Sequence, residues 1–301
     1  MIDVDVRPAY LNDSLPPPRA LSIAGSDPSG GAGIQADLKA FSALGAYGMA
    51  AITALTAQNT RGVLGVEAVS ADFLEQQIEA VFADITVDAV KIGMVGGPES
   101  VRRVARCLAR HRPPVVILDP VMVAKSGHRL VTDEAVAVLR SELLPLATVV
   151  TPNLPEAAVL LDTPEPAAED AMPAFARGLL DLGCPHVLLK GGHLEGPRSR
   201  DLLLGAEGEV WLDAVRVDTR NTHGTGCTLS SAIAALAPVA PDIATAVRGA
   251  KAYLNQCLAS ADTLSVGHGH GPVHHFHAAW ACAPARHALE AAAPDERGTG
   301  G

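Results

Sequence analysis

The run Asn221-Thr222-His223-Gly224-Thr225-Gly226-Cys227-Thr228 stands directly before an apolar stretch, residues 229–236, of helical composition. Two closely spaced glycines let successive backbone N–H groups converge, and a helix starting there places about half a positive charge behind them. Such a loop is a pocket for an anion. A phosphoryl group in transfer is mostly charge and needs little covalent chemistry from the protein, so this pocket suits a phosphotransferase. Gly224, Thr225 and Gly226 are its candidate donors. Cys227, expected as the first helical residue, is its candidate base, because a thiol at a helix N-terminus can titrate below its ordinary range. The plain alternative is a packing turn with Cys227 buried and inert. The pattern G-x-x-x-x-G-K-[ST] is absent, which argues against a Walker-type phosphate loop.

A second glycine run, Gly25-Ser26-Asp27-Pro28-Ser29-Gly30-Gly31-Ala32-Gly33, lies between a predicted strand and a predicted helix. Residues 31–36 satisfy the relaxed dinucleotide pattern G-x-G-x-x-A, but that site needs an acid about 20 residues on to hold a ribose hydroxyl. Residues 52–60 hold none, the nearest being Glu67, so a nicotinamide site is disfavoured. What remains is a tight turn, or a loop bringing N–H groups and Asp37 to a small substrate. Asp119 ends an apolar strand, where a carboxylate is costly unless paired or metal-bound. Asn153 and Glu156 have the spacing of a helix cap and its reciprocal partner. Beside Asp119, Glu156 is also suited to Mg²⁺, which takes one or two carboxylates plus phosphates. Lys190, before Gly191-Gly192, is placed to meet a nucleotide phosphate, or else is a surface lysine. His268, His270, His274, His275 and His277 lie on a glycine-interrupted segment whose spacing fits no standard zinc site.

The elements that must position these residues alternate. Apolar runs at 20–23, 49–54, 89–92, 115–118, 149–150 and 187–189 read as strands. Helices are expected at 34–44, 100–109, 154–161, 227–236 and 242–261, and Phe73, Ile78, Val81 and Phe82 recur at helical spacing. Uninterrupted apolar strands imply a mostly parallel sheet buried by helices on both faces, with ligands beyond the carboxyl ends of the strands. The loops after Ile23, Leu118, Val150 and Leu189 are therefore the expected seat of chemistry. Residues 19–282 read as one domain, after a poorly ordered leader at 1–18 and before a frayed tail at 283–301. The 33 Asp and Glu against 23 Lys and Arg, a formal charge of −10, argue against a nucleic-acid partner. Scattered cysteines without a C-x-x-C pair, and no apolar run of about 18 residues, point to a reduced, cytoplasmic protein without a membrane partner.

The glycine run extended to Asp37 resembles the opening of the hydroxymethylpyrimidine/phosphomethylpyrimidine kinases of thiamine biosynthesis. So do Ala57-Gln58-Asn59-Thr60, Lys91-Ile92-Gly93-Met94, Ala124-Lys125-Ser126-Gly127, Thr151-Pro152-Asn153-Leu154-Pro155-Glu156, Lys190-Gly191-Gly192-His193, residues 221–228 and Gly271-Pro272-Val273-His274-His275-Phe276-His277. The resemblance runs in order from about residue 19 to 280. It implies a three-layer αβα ribokinase-like fold and a homodimer. It also implies MgATP-dependent phosphorylation of 4-amino-5-hydroxymethyl-2-methylpyrimidine and then of its monophosphate. By position it puts Gly25, Ala32, Asp37, Gln58, Met94 and Val121 around the pyrimidine, with Asp37 and Gln58 as polar contacts. It puts Asp119, Asn153 and Glu156 at Mg²⁺, and Lys190, Thr222, Gly224, Thr225 and Gly226 on the ATP phosphates. Cys227 takes the general-base position, where related sugar and vitamin kinases usually carry Asp. Pro120 and the Gly96-Gly97 pair depart from the family pattern and bear on loop shape. The rivals are a pyridoxal or pyridoxamine kinase of the same fold and a non-catalytic pyrimidine-binding protein. Gln58 and Met94 favour the pyrimidine, and the intact set of Asp119, Glu156, Lys190 and the anion loop favours catalysis.

Overall fold

Short aliphatic runs become strands here because both of their faces find an apolar partner. In Val115–Leu118, Val116 and Leu118 face one core while Val115 and Ile117 face the other. The computed structural model describes residues 16–122, 131–166, 168–192, 194, 196–206 and 208–281. Most of the expected leader, the expected tail, the Ala124 to Gly127 motif and His193 lie outside the described residues.

The strands are β1 (Arg19–Ala24), β2 (Tyr47–Ile52), β3 (Ala54–Asn59), β4 (Gly62–Ala68), β5 (Ala89–Ile92), β6 (Val115–Leu118), β7 (Val149–Val150), β8 (Val187–Lys190), β9 (Arg198–Gly205) and β10 (Gly208–Val215). Among the described residues, eight of them form one sheet in the order β10-β9-β8-β7-β6-β5-β1-β2. From β2 to β8 every pairing is parallel, and β9 and β10 close the other edge antiparallel. The helices are α1 (Gly33–Ala43), α2 (Ala71–Asp84), α3 (Pro98–His111), α4 (Asp133–Val138), α5 (Leu154–Leu161), α6 (Met172–Leu180), α7 (Thr225–Leu236), α8 (Ile243–Ala259) and the short α9 (His277–Ala281). Leu74, Val104, Leu160 and Leu179 of α2, α3, α5 and α6 fill the core on one face. Phe41, Ile233 and Val247 of α1, α7 and α8 fill the core on the other. This is the three-layer αβα arrangement, with strand carboxyl ends and the starts of α1, α5 and α7 on one side.

Three departures from the sequence reading matter for the site. The run at 49–54 is not one strand: it breaks at Thr53, whose hydroxyl donates to Met94 O (2.6 Å), and the chain leaves the main sheet as the hairpin β3–β4. The β9–β10 hairpin was not legible as strands. Helix α7 begins at Thr225, so Cys227 is its third residue and not its first. No helix among the described residues is long and apolar enough to cross a membrane.

Candidate active site

The starts of α1 and α7 meet, and glycine is what lets them. Gly224 takes φ +80°, and a Cβ there would stand 1.8 Å from Gly31 O. A Cβ on Gly31 would in turn stand 2.4 Å from the His223 ring. Gly33 (φ +56°) lets Ile34 N donate to Gly25 O (3.0 Å), closing the strand-to-helix turn. Asp27 organises that turn, its carboxylate accepting from the N–H groups of Ser29, Gly31 and Ala32 and from the Ser29 hydroxyl. Its Oδ2 also lies 2.7 Å from His223 Nε2. Burial alone would raise Asp27; the bonds from His223 and Ser29 outweigh it and hold the carboxyl down at about 2.

The two loops border a cavity of about 810 Å³. It brings together every site residue expected from the sequence except Asp37: Gly25, Ala32, Gln58, Met94 and Val121 line it. So do Asp119, Asn153, Glu156, Lys190, Thr222, Gly224, Thr225, Gly226 and Cys227. Asp37 is a correction. Its carboxylate is fully buried, both oxygens 2.8 Å from Lys91 Nζ, and it accepts further bonds from Ser22 (2.6 Å) and Ser231 (2.7 Å). A saturated, sealed carboxylate does not face a ring in the cavity. What reaches the cavity is Lys91, whose ammonium is held charged by Asp37 against the pull of burial.

The lowered thiol expected at Cys227 is the second correction. The sulfur sits at the start of α7, yet burial pushes the thiol up to about 11, and Lys91 lowers it by less than that. Desolvation of the thiolate outweighs the helix end. Gly226 lies over the polar floor: a Cβ there would stand 3.4 Å from Asp119 Oδ2 and 3.5 Å from Lys190 Nζ. Lys190 donates to Asp119 Oδ1 (3.0 Å) and lies 3.9 Å from Glu156 Oε2.

The capping reading of Asn153 and Glu156 is realised in full. Asn153 Oδ1 accepts from Glu156 N and Glu156 Oε2 accepts from Asn153 N, both at 2.8 Å. Asn153 is thereby engaged in fixing Glu156 at the head of α5. Burial pushes the Glu156 carboxyl up to about 7, Lys190 pulling it down by less and Asp119 adding to the rise. Two carboxylates that share one ammonium are short of positive charge, a donor set suited to a further hard cation. Among the described residues, the one trio spaced to share a metal is Glu75, Glu79 and Cys107, away from this cavity, and its carboxylates are paired with Arg103, Arg110 and His111. The histidine-rich segment forms no such cluster: His275 packs against α7, its Nε2 2.9 Å from Thr228 Oγ1.

Comparison with known proteins adds to this geometry. A family model described as phosphomethylpyrimidine kinase matches residues 27–274. The chain belongs to the phosphomethylpyrimidine kinase family. The hydroxymethylpyrimidine/phosphomethylpyrimidine kinase of Escherichia coli K12 is 56% identical over 261 residues, covering 87% of this chain and 98% of that protein. The Clostridium difficile 630 phosphomethylpyrimidine kinase superposes with a TM-score of 0.70 at 44% identity, covering 79% and 98% of the two chains. An ADP complex of Bacillus subtilis pyridoxal kinase superposes with a TM-score of 0.80 at 34% identity, covering 86% and 97%. The fold is thus that of the ribokinase-like vitamin kinases, and the chain is a phosphotransferase.

Four residues of this kinase escaped the sequence reading. Lys91 was visible only as part of a motif, although a lone lysine in the strand Ala-Val-Lys-Ile should itself have demanded a buried carboxylate. Asp27 is the one acid in the first glycine run, and its clustering with glycines was the available signal. Lys251 and Asp201, a buried pair at 2.5 Å on the cavity wall, lie on elements too far apart in the chain to be paired by inspection.

Two outcomes are expected. Carboxamidomethylation of Cys227 by iodoacetamide, followed by mass spectrometry from pH 6 to 11, stays slow through the ordinary thiol range near ~8.5 and climbs only towards pH 11. Asp37→Asn leaves the Lys91 ammonium buried without a counter-charge and lowers unfolding free energy by about 3–5 kcal/mol in urea titration, most of which Asp37→Asn/Lys91→Met recovers.

Proposed function

We propose that this chain transfers the γ-phosphoryl of ATP to 4-amino-5-hydroxymethyl-2-methylpyrimidine and then to its monophosphate, forming the pyrophosphate used in thiamine biosynthesis. The observation that carries the reading is the start of α7, with Gly224 to Cys227 lying over the Lys190–Asp119 pair in the cavity that Gln58 and Met94 also line. First-turn N–H groups have no partner within their own helix, so they are free to hold phosphoryl oxygens. Lys190 adds a point charge there. Mg²⁺ bound at this place supplies charge neutralisation between phosphates, and Asp119 and Glu156 are the residues that would hold it. Lys190 moving to a phosphate would leave Asp119 and Glu156 to that ion. Gln58, Met94, Gly25, Ala32 and Val121 hold the pyrimidine. Gly25 has a specific reason to be glycine, since a Cβ would stand 2.4 Å from Met94 Cε.

Cys227 keeps its proton at neutral pH, so base catalysis at the primary alcohol draws on a small thiolate fraction. The second acceptor is already an ionised phosphate and needs no base. The likeness to the Bacillus subtilis pyridoxal kinase favours pyridoxal as a weaker second acceptor. Leu55 and Leu64 on the outer face of the β3–β4 hairpin are 51% and 81% exposed, which supports a homodimer closed over that hairpin. A cytoplasmic location fits the unpaired cysteines at 107, 184, 227 and 257.

ATP consumption with resolution of mono- from diphosphate product should show both transfers in sequence, with kcat/KM for the pyrimidine above that for pyridoxal. Cys227→Ala should cut kcat/KM of the first transfer by about 10²-fold or more and leave the second within about threefold. Equal losses remove the base role. Leu64→Asp should halve the sedimenting mass while the monomer stays folded.

A further inference from the structure

Glycine occupies every second position in Gly267-His268-Gly269-His270-Gly271; the first two close on Thr60 at the hairpin tip and the third on Asn221 before the transfer loop. Gly267 takes φ +68°, and a Cβ there would stand 2.3 Å from Thr60 Oγ1. A Cβ on Gly269 would stand 2.0 Å from Thr60 O, and one on Gly271 2.1 Å from Asn221 Oδ1. The backbone uses that closeness. Gly269 N donates to Thr60 Oγ1 (3.1 Å) and His270 N to Thr60 O (2.9 Å). Gly271 N donates to Asn221 Oδ1 (3.1 Å), and Gly271 O accepts from His223 N (3.0 Å). Asn221 is anchored in turn, its Nδ2 donating to Asp262 Oδ1 (2.8 Å) just past α8.

These bonds close a ring. Gln58 and Thr60 belong to the tip of the β3–β4 hairpin; Thr60 holds the 267–271 segment; that segment holds Asn221 and His223. His223 Nε2 lies 3.3 Å from the Gln58 amide, which returns the ring to its start. The Gln58 amide nitrogen is placed toward His223 and its oxygen toward Thr56 Oγ1. Because the His223 Nε2 proton goes to Asp27, we assign the amide the other way round, with its oxygen toward His223 and its NH₂ toward Thr56 Oγ1. Thr56 Oγ1 itself donates to Ser26 O (2.9 Å), which makes that arrangement consistent throughout.

The ring matters because the hairpin is not part of the main sheet. No strand ladder sets its height over α7; its base is tied by Thr53 to Ala24 and Met94 and by Ala54 and Thr56 to Ser26, and these bonds lie at the end of the hairpin away from its tip. In-line transfer fails by about 10²-fold for a displacement of roughly 1 Å. We propose that residues 267–271 are a positioning strap that sets the hairpin's Gln58 against His223 of the transfer loop, and so fixes the acceptor against the anion pocket. The idea rests on the reading of Gln58 as an acceptor contact.

The experiment compares wild type, Gly269→Ala, Thr60→Val and Thr60→Ser by steady-state kinetics in each substrate and by amide hydrogen exchange. Gly269→Ala should lower kcat/KM for the pyrimidine by about tenfold or more with the KM for ATP within about twofold. It should also speed exchange in the hairpin tip and in residues 221–226 together. Thr60→Val should show the same pattern more weakly, and Thr60→Ser, which keeps the hydroxyl acceptor, should restore wild-type values. If Gly269→Ala does not fold, the Thr60 pair carries the same readouts. Equal loss for ATP and pyrimidine, or faster exchange in the hairpin with residues 221–226 unchanged, overturns the strap. A wild type that phosphorylates no pyrimidine refutes the functional reading, while the exchange coupling still decides the strap.

Discussion

The abutment of Gly224 on Gly31 O is the contact the rest of the site depends on. Any side chain at 224 would collide with Gly31 O and force the starts of α1 and α7 apart. Once they meet, their positive ends reinforce each other, and buried negative charge can be tolerated nearby. Asp27, Asp37, Asp119 and Glu156 are all buried or nearly so. Each has found an answer to that cost: Asp27 takes N–H groups and His223, Asp37 takes Lys91, and Asp119 and Glu156 share Lys190.

These pairings divide the acids by task. Asp37 is saturated and sealed, so its work is to keep Lys91 charged in a dry place close to the transferring group. Glu156 is under-compensated, its carboxyl held near neutrality in titration by burial. The first arrangement is static; the second leaves room for a cation to arrive with substrate. Cys227 lies between them electrostatically, drawn down by Lys91 and pushed up by Asp37 and Asp119, with burial deciding the balance.

Much of this was legible in the sequence, and the boundary is physical. The strands 89–92, 115–118 and 149–150 and the helix 154–161 were read to the residue, because full burial on both faces and a cap leave no ambiguity of period. The break at Thr53 was missed because the apolar run continues through it, and the cause is a hydrogen bond to Met94, distant in the chain. The hairpin β9–β10 escaped because charged residues such as Arg198, Arg200 and Asp213 find partners across it that only the pairing reveals. Among site residues, the loop positions were placed by motif. The direct role expected of Asp37 was not borne out by its placement, since which of two buried charges faces a cavity depends on side-chain reach. The ionisation of Cys227 turned on depth of burial, which spacing alone does not encode.

The strap also has a consequence for how the chain is made. Thr60 and Gly269 are 209 residues apart, and the ring that joins them closes only when nearly the whole domain has left the ribosome. At typical synthesis rates the hairpin tip waits on the order of 10–40 s before Thr60 can meet Gly269. Completion of the acceptor site is therefore among the last events in the life of the nascent polypeptide.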